Sequence, residues 1–453
     1  MMLTRAKAGC WTAWKDSAAV LGLLAGLRPV QALLAVPSAL FLAALAAMLL
    51  RHPDVSFYEI DRVAFLLLGL CIAGRTALAR EPMFLAQRAT WPMLGLTLLA
   101  VGSVIGQPYD HEAWSLLTAK FIVPFGMFHF AQVAFREERR LREFEIFTLV
   151  VLAYLCFTSI AFLVGAKSLI FPRFILDESL GNQADRARGP LLQAVANGVS
   201  LNLLGLLALH AYLRGRIRGV KAALLLASLP LAILATMTRA VWISFVASVG
   251  YLIFRSNNRR LRSICRTVAI LGAIGLALTL SFGDQRRALA DRLEESGPVN
   301  FRKAVYSAGW QMFMEKPWTG WGINQMPGEL AKHVSGYKER ELYPHNTYLE
   351  MLVEHGLVGL ALYGWVIWEL FRVGHSRLAK REDSGLLNRH FHSLWPILLA
   401  VYLINALVVV MNYQFVNGLI FTMAGMLAAQ QVGMQRETQR ESYSLGPVMR
   451  SKS

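Results

Sequence analysis

Twelve apolar stretches alternate with shorter polar ones along most of the 453-residue chain. Roughly 20 consecutive apolar residues suffice for a helix to cross the hydrocarbon layer of a membrane. The pattern therefore predicts an all-α polytopic membrane protein with about twelve transmembrane helices, at roughly 30–50, 61–79, 91–107, 115–134, 145–166, 190–213, 219–236, 239–254, 266–283, 346–371, 393–412 and 415–432. One large insertion separates the ninth helix from the tenth.

This pattern divides the chain into five segments, which are 1–29, 30–283 with helices one to nine, 284–345, 346–432 with helices ten to twelve, and the tail 433–453. Within the first segment, residues 10–27 are apolar but short, and we expect them to lie in the membrane interface. The insertion is too small for a free domain, so we expect short helices, broken at Pro317 and the glycines of GWG, that pack on the membrane body. The charged tail is expected to lack regular structure.

Composition decides which class of protein to consider. Hydrophobic residues make up 55% of the chain, charged residues only 17%, and the mean hydropathy is +0.43, which excludes an ordinary soluble globular protein. The net charge of +17 would suggest a nucleic-acid partner in a soluble protein. In a membrane protein it is first a topology signal, and we predict membrane lipids as partners and no nucleic acid.

The distribution of Lys and Arg predicts the orientation. The segments on one face carry 29 of these residues and those on the other face carry 16, while Lys120 lies inside a span. The richer face should be cytoplasmic, with both termini inside and the large loop outside. Cys10, Cys71, Cys156 and Cys265 all avoid the outward loops, so no disulfide is expected. With no CxxC, HExxH or P-loop, the sequence predicts no cofactor and no metal.

A histidine marks the start of the tenth predicted helix. His345 precedes the apolar run and would lie at the boundary of water and membrane, at a helix N-terminus. The unpaired N–H groups and the macrodipole there disfavour positive charge and so favour the neutral imidazole, which can act as a base. Asn346 and Glu350 are candidate substrate contacts. Glu350 and Glu354, four residues apart, are expected either to orient polar partners or to bind an acceptor sugar. His355 is expected to lie deeper and away from the site.

Arginines form the second group of outward-facing candidates. Arg186 and Arg188 precede the sixth predicted helix, Arg239 lies in the turn between the seventh and eighth, and Arg302 lies in the large loop. The guanidinium group is suited to bidentate contacts with phosphate. An anionic lipid headgroup is therefore the expected ligand.

Two spaced patterns resemble those of the O-antigen ligase and polymerase superfamily. His345, Asn346, nine residues, Gly356, two residues and Gly359 resemble the family pattern H-[N/S/Q]-x9-G-x-x-G. The preceding EKPWTGWGINQM resembles its P-x-x-G-x-G segment, and RARGP and TRAVW resemble its two arginine positions, with Arg186 or Arg188 as the first and Arg239 as the second. The resemblance covers about 180–370 by pattern and the whole chain by topology.

The resemblance implies an O-antigen ligase, a glycosyltransferase of lipopolysaccharide biosynthesis at the periplasmic face of the bacterial inner membrane. The donor would be O-antigen on undecaprenyl pyrophosphate, and the acceptor a sugar hydroxyl of lipid A-core. Arg186 or Arg188 and Arg239 would bind the pyrophosphate in the place that a metal ion fills elsewhere. His345 would accept the proton of the acceptor, and a single displacement would invert the anomeric centre.

Three other functions stay open. A polymerase that extends the glycan on its carrier would share the donor and differ in the acceptor. A metal-dependent glycosyltransferase would use the Asp110-His111-Glu112 cluster. A transporter or flippase would need ionisable groups near the membrane midplane, where Lys120 is the clearest one and its simplest role is structural pairing or snorkelling.

Overall fold

The computed structural model describes residues 37–51, 60–79, 87–181, 183–281, 297–334, 344–375 and 385–444. All regular structure in these ranges is helical: α1 Pro37–Leu49, α2 Ile60–Ala79, α3 Thr90–Ile105, α4 His111–Ala134, α5 Glu138–Leu163, α6 Ala194–Leu213, α7 Gly219–Ala235, α8 Arg239–Arg255, α9 Arg259–Ser281, α10 Gly297–Glu315, α11 Met326–His333, α12 Thr347–Val373, α13 Arg389–Ala406 and α14 Gln414–Ser444. The apolar segment predicted at 10–27 lies outside the described residues.

The all-α, membrane-type prediction is confirmed, and each of the twelve predicted stretches contains a helix. Within the described ranges, α4, α5, α6, α9, α12 and α14 are long and apolar enough to cross a membrane. The helices α1, α3 and α7 are apolar but shorter. The count of twelve spans and the outward orientation of the large loop stay predictions.

The tail prediction is wrong over its first part. The last helix, α14, continues to Ser444, well beyond residue 433, where a segment without regular structure was expected. The sequence MQRETQRES contains no Gly or Pro and is rich in Gln, Glu and Arg, which favour helix. Helix propensity can therefore continue α14 beyond the end of its apolar part.

The centre of the fold is α6, in which every residue from Ala194 to Ala211 is buried. It packs against α5, α7, α8 and α13. Three polar side chains join α6, α8 and α13 across the core. Asn202 of α6 and Asn405 of α13 both donate to the hydroxyl of Ser244 in α8, at 3.2 and 3.0 Å. Hydrogen bonds of this kind fix helices to one another where hydrophobic packing alone is unselective.

The described residues of the insertion, 297–334, contain two helices, α10 and α11, which are separated at Pro317 and the GWG glycines, as predicted. A small separate hydrophobic core joins the insertion to α12. It contains Val305 and Met312 of α10, Leu330 of α11 and Val353 of α12. The insertion thus packs directly on α12, which carries the residues singled out by the sequence.

Candidate functional site

The helix α12 is broken at Gly356, whose φ of 64° and ψ of −164° lie outside the helical range. A break of this kind leaves backbone N–H and C=O groups on both sides without their helical partners. The segment between α10 and α11 supplies the replacements through four backbone hydrogen bonds: Trp321 N to Val353 O at 2.9 Å, Gly322 N to Glu354 O at 2.8 Å, Leu357 N to Pro317 O at 2.8 Å and Val358 N to Trp318 O at 3.3 Å.

Glycine is required on both sides of this junction. A Cβ on Gly356 would lie 2.3 Å from the carbonyl of Trp318, and a Cβ on Gly320 would lie 2.5 Å from the carbonyl of Glu354. Both glycines also have positive φ values, 64° and 71°, which L side chains rarely adopt. The P-x-x-G-x-G segment and the first glycine of the H-N-x9-G-x-x-G pattern are therefore two halves of one junction, which we call the loop–helix junction.

His345 lies two residues before α12, with a left-handed φ of 48°. The side chain of Asn346 caps the helix by accepting from the N–H groups of Tyr348 and Leu349, at 2.9 and 3.1 Å. The imidazole is exposed, and the Phe301 ring stands edge-on to it at 6.3 Å between centroids. The geometry thus gives the carbonyl oxygen of Asn346 a structural role and leaves the His345 ring accessible.

The pKa of His345 is lowered from its ordinary value of 6.5. The main cause is that neighbouring protein atoms displace water from around the imidazole, which disfavours the charged form. The second is the positive charge of Arg302, one residue from Phe301 on α10. Of the four arginine candidates, Arg302 is thus the one whose charge lowers the pKa of His345, and both causes favour the neutral imidazole.

Two anchors fix the first half of α12. The hydroxyl of Thr347 donates to the carbonyl of Val409 and accepts from the N–H of Met411, both at 2.9 Å, which ties the start of α12 to the turn before α14. Deeper along the helix, the Lys120 ammonium donates to Glu350 at 2.7 Å and to Glu354 at 3.0 Å. We call these three side chains the buried ion cluster.

The buried ion cluster changes the interpretation of Glu350. All three side chains are at most 8% exposed, so neither carboxylate faces an open site where a sugar would bind. Lys120 lies within a wide π turn over Thr118–Ile122, which departs from the regular geometry of α4. The expectation that Lys120 serves structural pairing is confirmed, whereas Glu350 and Glu354 hold α12 against α4 and are not placed to bind the acceptor.

His355 lies beside the buried ion cluster, completely buried, with its ring edge-on to Phe121 at 5.5 Å. Neither ring nitrogen has a hydrogen-bond partner among the described residues. A second glycine of the pattern makes room here, because a Cβ on Gly359 would overlap the His355 side chain. His355 is therefore part of the packing behind the loop–helix junction, away from the exposed His345, as expected.

The acidic cluster before α4 also has a structural role. Asp110 caps α4 by accepting from the N–H of Glu112 at 2.9 Å, and its second oxygen accepts from the Asn324 amide, also at 2.9 Å. The Asn324 amide is the main reason why the pKa of Asp110 is lowered. Because the Asn324 N–H also donates to Glu354 at 3.3 Å, Asp110 helps to hold the loop–helix junction on α3 and α4.

The two neighbouring arginines Arg186 and Arg188 have different environments. The Arg188 side chain is buried, and its guanidinium donates to three backbone carbonyls of the same loop, those of Ile175 at 3.0 Å, Leu180 and Asp177. This arrangement crosslinks the loop from the inside and leaves Arg188 no free face for a substrate. The structure thus distinguishes between the two residues, since the guanidinium of Arg188 is bonded inside its own loop.

The Arg186 side chain is 14% exposed, and its guanidinium lies 3.6 Å from the carboxylate of Asp185. The N–H of the next residue, Ala187, donates to the carbonyl of Ala235 at 3.1 Å, which pins the loop to the end of α7. Arg239 follows four residues after Ala235, as the first residue of α8, and its side chain is exposed. Arg186, which precedes Ala187, and Arg239 therefore both lie near the turn between α7 and α8.

An apolar cleft of about 640 Å³ lies between α7, α8 and α9. Trp242, Val246 and Gly250 line it from α8, and together with Arg239 they recur at helical spacing along one face of that helix. The arginine therefore lies on the α8 face that lines the cleft, about one turn beyond its nearest lining residue. A positively charged side chain beside an apolar cleft is suited to a ligand that has an anionic head and a hydrocarbon chain.

Contacts with the C-terminal end of α13 relate His345 to Arg239. Near that end, the hydroxyl of Tyr348 in α12 donates to the carbonyl of Leu403 at 3.1 Å, and Asn405 donates to Ser244 in α8. His345 is three residues from Tyr348, and Arg239 is five residues from Ser244. The residues singled out by the sequence therefore gather at one end of the helix bundle.

The sequence contained a signal for the buried ion cluster that was not sufficient to predict it. Lys120 in one apolar stretch and Glu350 and Glu354 in another have complementary charges, but the sequence does not show that the two stretches are in contact. The loop–helix junction had no such signal, because its hydrogen bonds join backbone groups. Only the glycine spacing pointed to it.

Comparison with known proteins agrees with the patterns in the sequence. A family model described as O-antigen ligase matches residues 222–364, less than half of the chain. The match runs from α7 to the second half of α12 and includes Arg239, the loop–helix junction and His345. None of the curated proteins matches the chain. Over residues 222–364 the chain is therefore similar to the O-antigen ligase family, and its membrane-type helical fold is consistent with that similarity.

Proposed function

We propose that the protein is an O-antigen ligase that transfers a glycan from undecaprenyl pyrophosphate to a sugar hydroxyl of lipid A-core. The observation that carries this proposal is the environment of His345. His345 is an exposed residue at the capped start of a helix that is fixed at both ends of its first half, and the charge of Arg302 contributes to the lowering of its pKa. A base of this kind is suited to deprotonate a hydroxyl group.

The donor would bind through its pyrophosphate to Arg239 and Arg186. Among the described residues, Arg239 has neither a hydrogen-bond acceptor nor an ion-pair partner, so its guanidinium is available to an anionic ligand. The apolar cleft along α8 is suited to the first isoprenoid units of the carrier, since it continues the face on which Arg239 lies. The two arginines would stabilise the charge that develops on the leaving group.

The chemical step is one displacement. The acceptor oxygen forms a bond to the anomeric carbon while its proton passes to His345, and the bond from that carbon to the phosphate oxygen breaks. The electron pair leaves with undecaprenyl pyrophosphate, and the anomeric centre inverts. No nucleotide takes part, because the donor carries its own activated phosphate bond. We place this reaction at the periplasmic face of the bacterial inner membrane.

The test is transfer in vitro with purified protein, undecaprenyl-pyrophosphate-linked glycan and lipid A-core. We expect glycosylated lipid A-core with and without chelator, and none with His345→Ala or Arg239→Ala. Matched controls are His333→Ala, a histidine of α11 bonded to Glu315 and Glu329, and Arg173→Gln in the loop of Arg186. Both should retain transfer.

Three outcomes would overturn parts of this proposal. Longer glycan on the undecaprenyl carrier with unmodified lipid A-core would identify a polymerase. Loss of transfer on chelation, restored by a divalent cation, would favour metal-dependent chemistry. Full transfer by His345→Ala would show that another group, or no group, removes the proton.

A further inference from the structure

A polar cavity of about 340 Å³ lies between the end of α1, the start of α14 and the loop that contains the RARGP segment. Arg51, two residues after α1, contributes to its lining, the loop contributes residues 190–192, and the start of α14 contributes Asn412 and Gln414. The cavity shares no lining residue with the apolar cleft between α7, α8 and α9. The two are therefore separate sites.

The cavity is bounded by elements that also carry the candidate site. In the loop on one side, Arg186 lies four residues before Pro190, which lines the cavity. On the other side, the lining residues at the start of α14 follow directly on Met411, whose N–H donates to the hydroxyl of Thr347 at 2.9 Å. Thr347 is two residues after His345. A ligand in the cavity would therefore contact both the loop of Arg186 and the turn that is bonded to the start of α12.

Two buried side chains orient Arg51 at the cavity. Its Nη1 lies 3.7 Å from the carboxylate of Asp61 in α2. Nη1 also donates to the side-chain oxygen of Gln414 at 3.2 Å, in the amide orientation that places the Gln414 nitrogen next to Asp61. Both contacts use Nη1, so among the described residues Nη2 and Nε have no acceptor.

Asn412 offers a second group to a ligand. Its side-chain amide has no hydrogen-bond partner within the ranges that the structure describes, and an amide can both donate and accept. Met48 and Leu191 add apolar surface to the lining. A few polar groups on a partly apolar wall are typical of a small-molecule site.

The charge of the cavity favours a neutral ligand. Arg51 is the one charged residue among its described lining residues, and Asp61, which is 2% exposed, offsets that charge. A phosphate group would leave the cavity with excess negative charge. The hydroxyl groups and C–H faces of a sugar match the remaining donors, the amide and the apolar surface. The volume lies at the lower end of the range of about 300–1,000 Å³ for ligand pockets, which suits a sugar more than a lipid chain.

We propose, on the basis of the ligase function proposed above, that this cavity binds an uncharged sugar of the acceptor glycan through Arg51 and Asn412. The acceptor would then be selected by a site different from the one that binds the donor. The hydrogen bond between Met411 and Thr347 fixes Asn412 relative to the start of α12, so a sugar held here would bring the acceptor toward His345.

The test measures transfer at saturating lipid-linked donor while the concentration of lipid A-core is varied. Asn412→Leu removes the amide, and Arg51→Lys keeps a positive charge for Asp61 but removes the Nη2 and Nε donors. Each variant should raise KM for lipid A-core at least about tenfold and leave KM for the donor unchanged. The control Asn257→Leu replaces an exposed asparagine between α8 and α9 and should behave as the wild type does.

Binding of the acceptor gives a second measurement, which does not depend on transfer. The wild-type protein in detergent should bind lipid A-core more tightly than lipid A without core sugars. Asn412→Leu and Arg51→Lys should lose this preference, and Asn257→Leu should keep it. Equal binding of the two lipids by the wild type would overturn the acceptor site, whether or not the variants fold.

The transfer assay separates this inference from the proposed function. If the wild type glycosylates lipid A-core and both cavity variants keep its KM, the acceptor site is wrong and the ligase function stands. If the wild type does not glycosylate lipid A-core, the ligase function is wrong, and the acceptor site with it.

Discussion

Gly356 and Trp318 are so close that a Cβ on the glycine would lie 2.3 Å from the tryptophan carbonyl. This contact joins the two sequence patterns, since one contains Gly356 and the other surrounds Trp318. The carbonyl of Trp318 also accepts a hydrogen bond from the N–H of Val358, on the far side of the break in α12. The helix that begins next to His345 and the insertion before it therefore form one structural unit.

The first prediction concerns this contact. Gly356→Ala should destabilise the protein by at least about 2–3 kcal/mol, because alanine is strained at a φ of 64° and its Cβ meets backbone atoms. Gly364→Ala is the control, since Gly364 lies on the same helix with open space around its Cα. Thermal unfolding in detergent measures both. Equal midpoints for the two variants would show that the loop–helix junction is not formed as described.

The second prediction concerns the pH dependence of transfer. His345 acts as a base only when neutral, so activity should fall as the pH drops through its pKa, and this fall should lie below pH 6.5 because the pKa is lowered. Arg302→Gln removes one of the two causes, which raises the pKa. The acid limb of kcat/KM should then move to higher pH. The apparent pKa of that limb should stay below the ordinary value of 6.5, because protein atoms still displace water from around the imidazole.

A matched control for this prediction is Lys303→Gln, which removes an exposed positive charge from the adjacent residue of α10. We expect its pH profile to overlay that of the wild type. An acid limb that moves equally in both variants would indicate a general electrostatic effect, and one that moves in neither would separate Arg302 from the titrating group.

The third prediction compares two lysines at the same distance from a glutamate. Lys120 and Lys332 each lie 2.7 Å from a carboxylate oxygen, but Lys120 is 5% exposed and Lys332 is 68% exposed. Lys120→Met should cost about 3–5 kcal/mol, because it leaves buried carboxylates without their cation. Lys332→Met should cost about 1 kcal/mol or less. Unfolding midpoints of the two variants provide the comparison.

Removing the carboxylate charges should rescue the Lys120 variant. The triple variant Lys120→Met/Glu350→Gln/Glu354→Gln contains no buried charge in this cluster and should be more stable than Lys120→Met alone. If the triple variant is less stable than the single one, the cost of losing Lys120 comes from packing and not from the unpaired carboxylates.

The fourth prediction separates the two arginines of the RARGP segment. Arg188→Lys should lower the unfolding midpoint, because an ammonium group cannot reach three carbonyls that the guanidinium now satisfies, and each unsatisfied buried group costs about 1–3 kcal/mol. Arg186→Lys should leave the midpoint unchanged and raise KM for the lipid-linked donor, since bidentate phosphate contact is lost. The reverse pattern would reverse the two assignments.

The sequence by itself determined the class of protein and the positions of its helices. Apolar runs need a helical backbone in a membrane, since each helix satisfies its own hydrogen bonds, and every predicted stretch contains a helix. It also identified His345, the arginines and the glycine spacing, because these residue types depart from the apolar background. The sequence pattern was sufficient to predict each feature whose physical cause lies within a single segment of the chain.

Only the tertiary structure decided what these residues do for one another. It joined Lys120 to Glu350 and Glu354, buried Arg188 while leaving Arg239 exposed, and brought the charge of Arg302 near enough to lower the pKa of His345. Each of these facts depends on the distance between groups far apart in the chain. The cost of burying a charge and the pKa of a base are properties of such distances, and a linear pattern does not contain them.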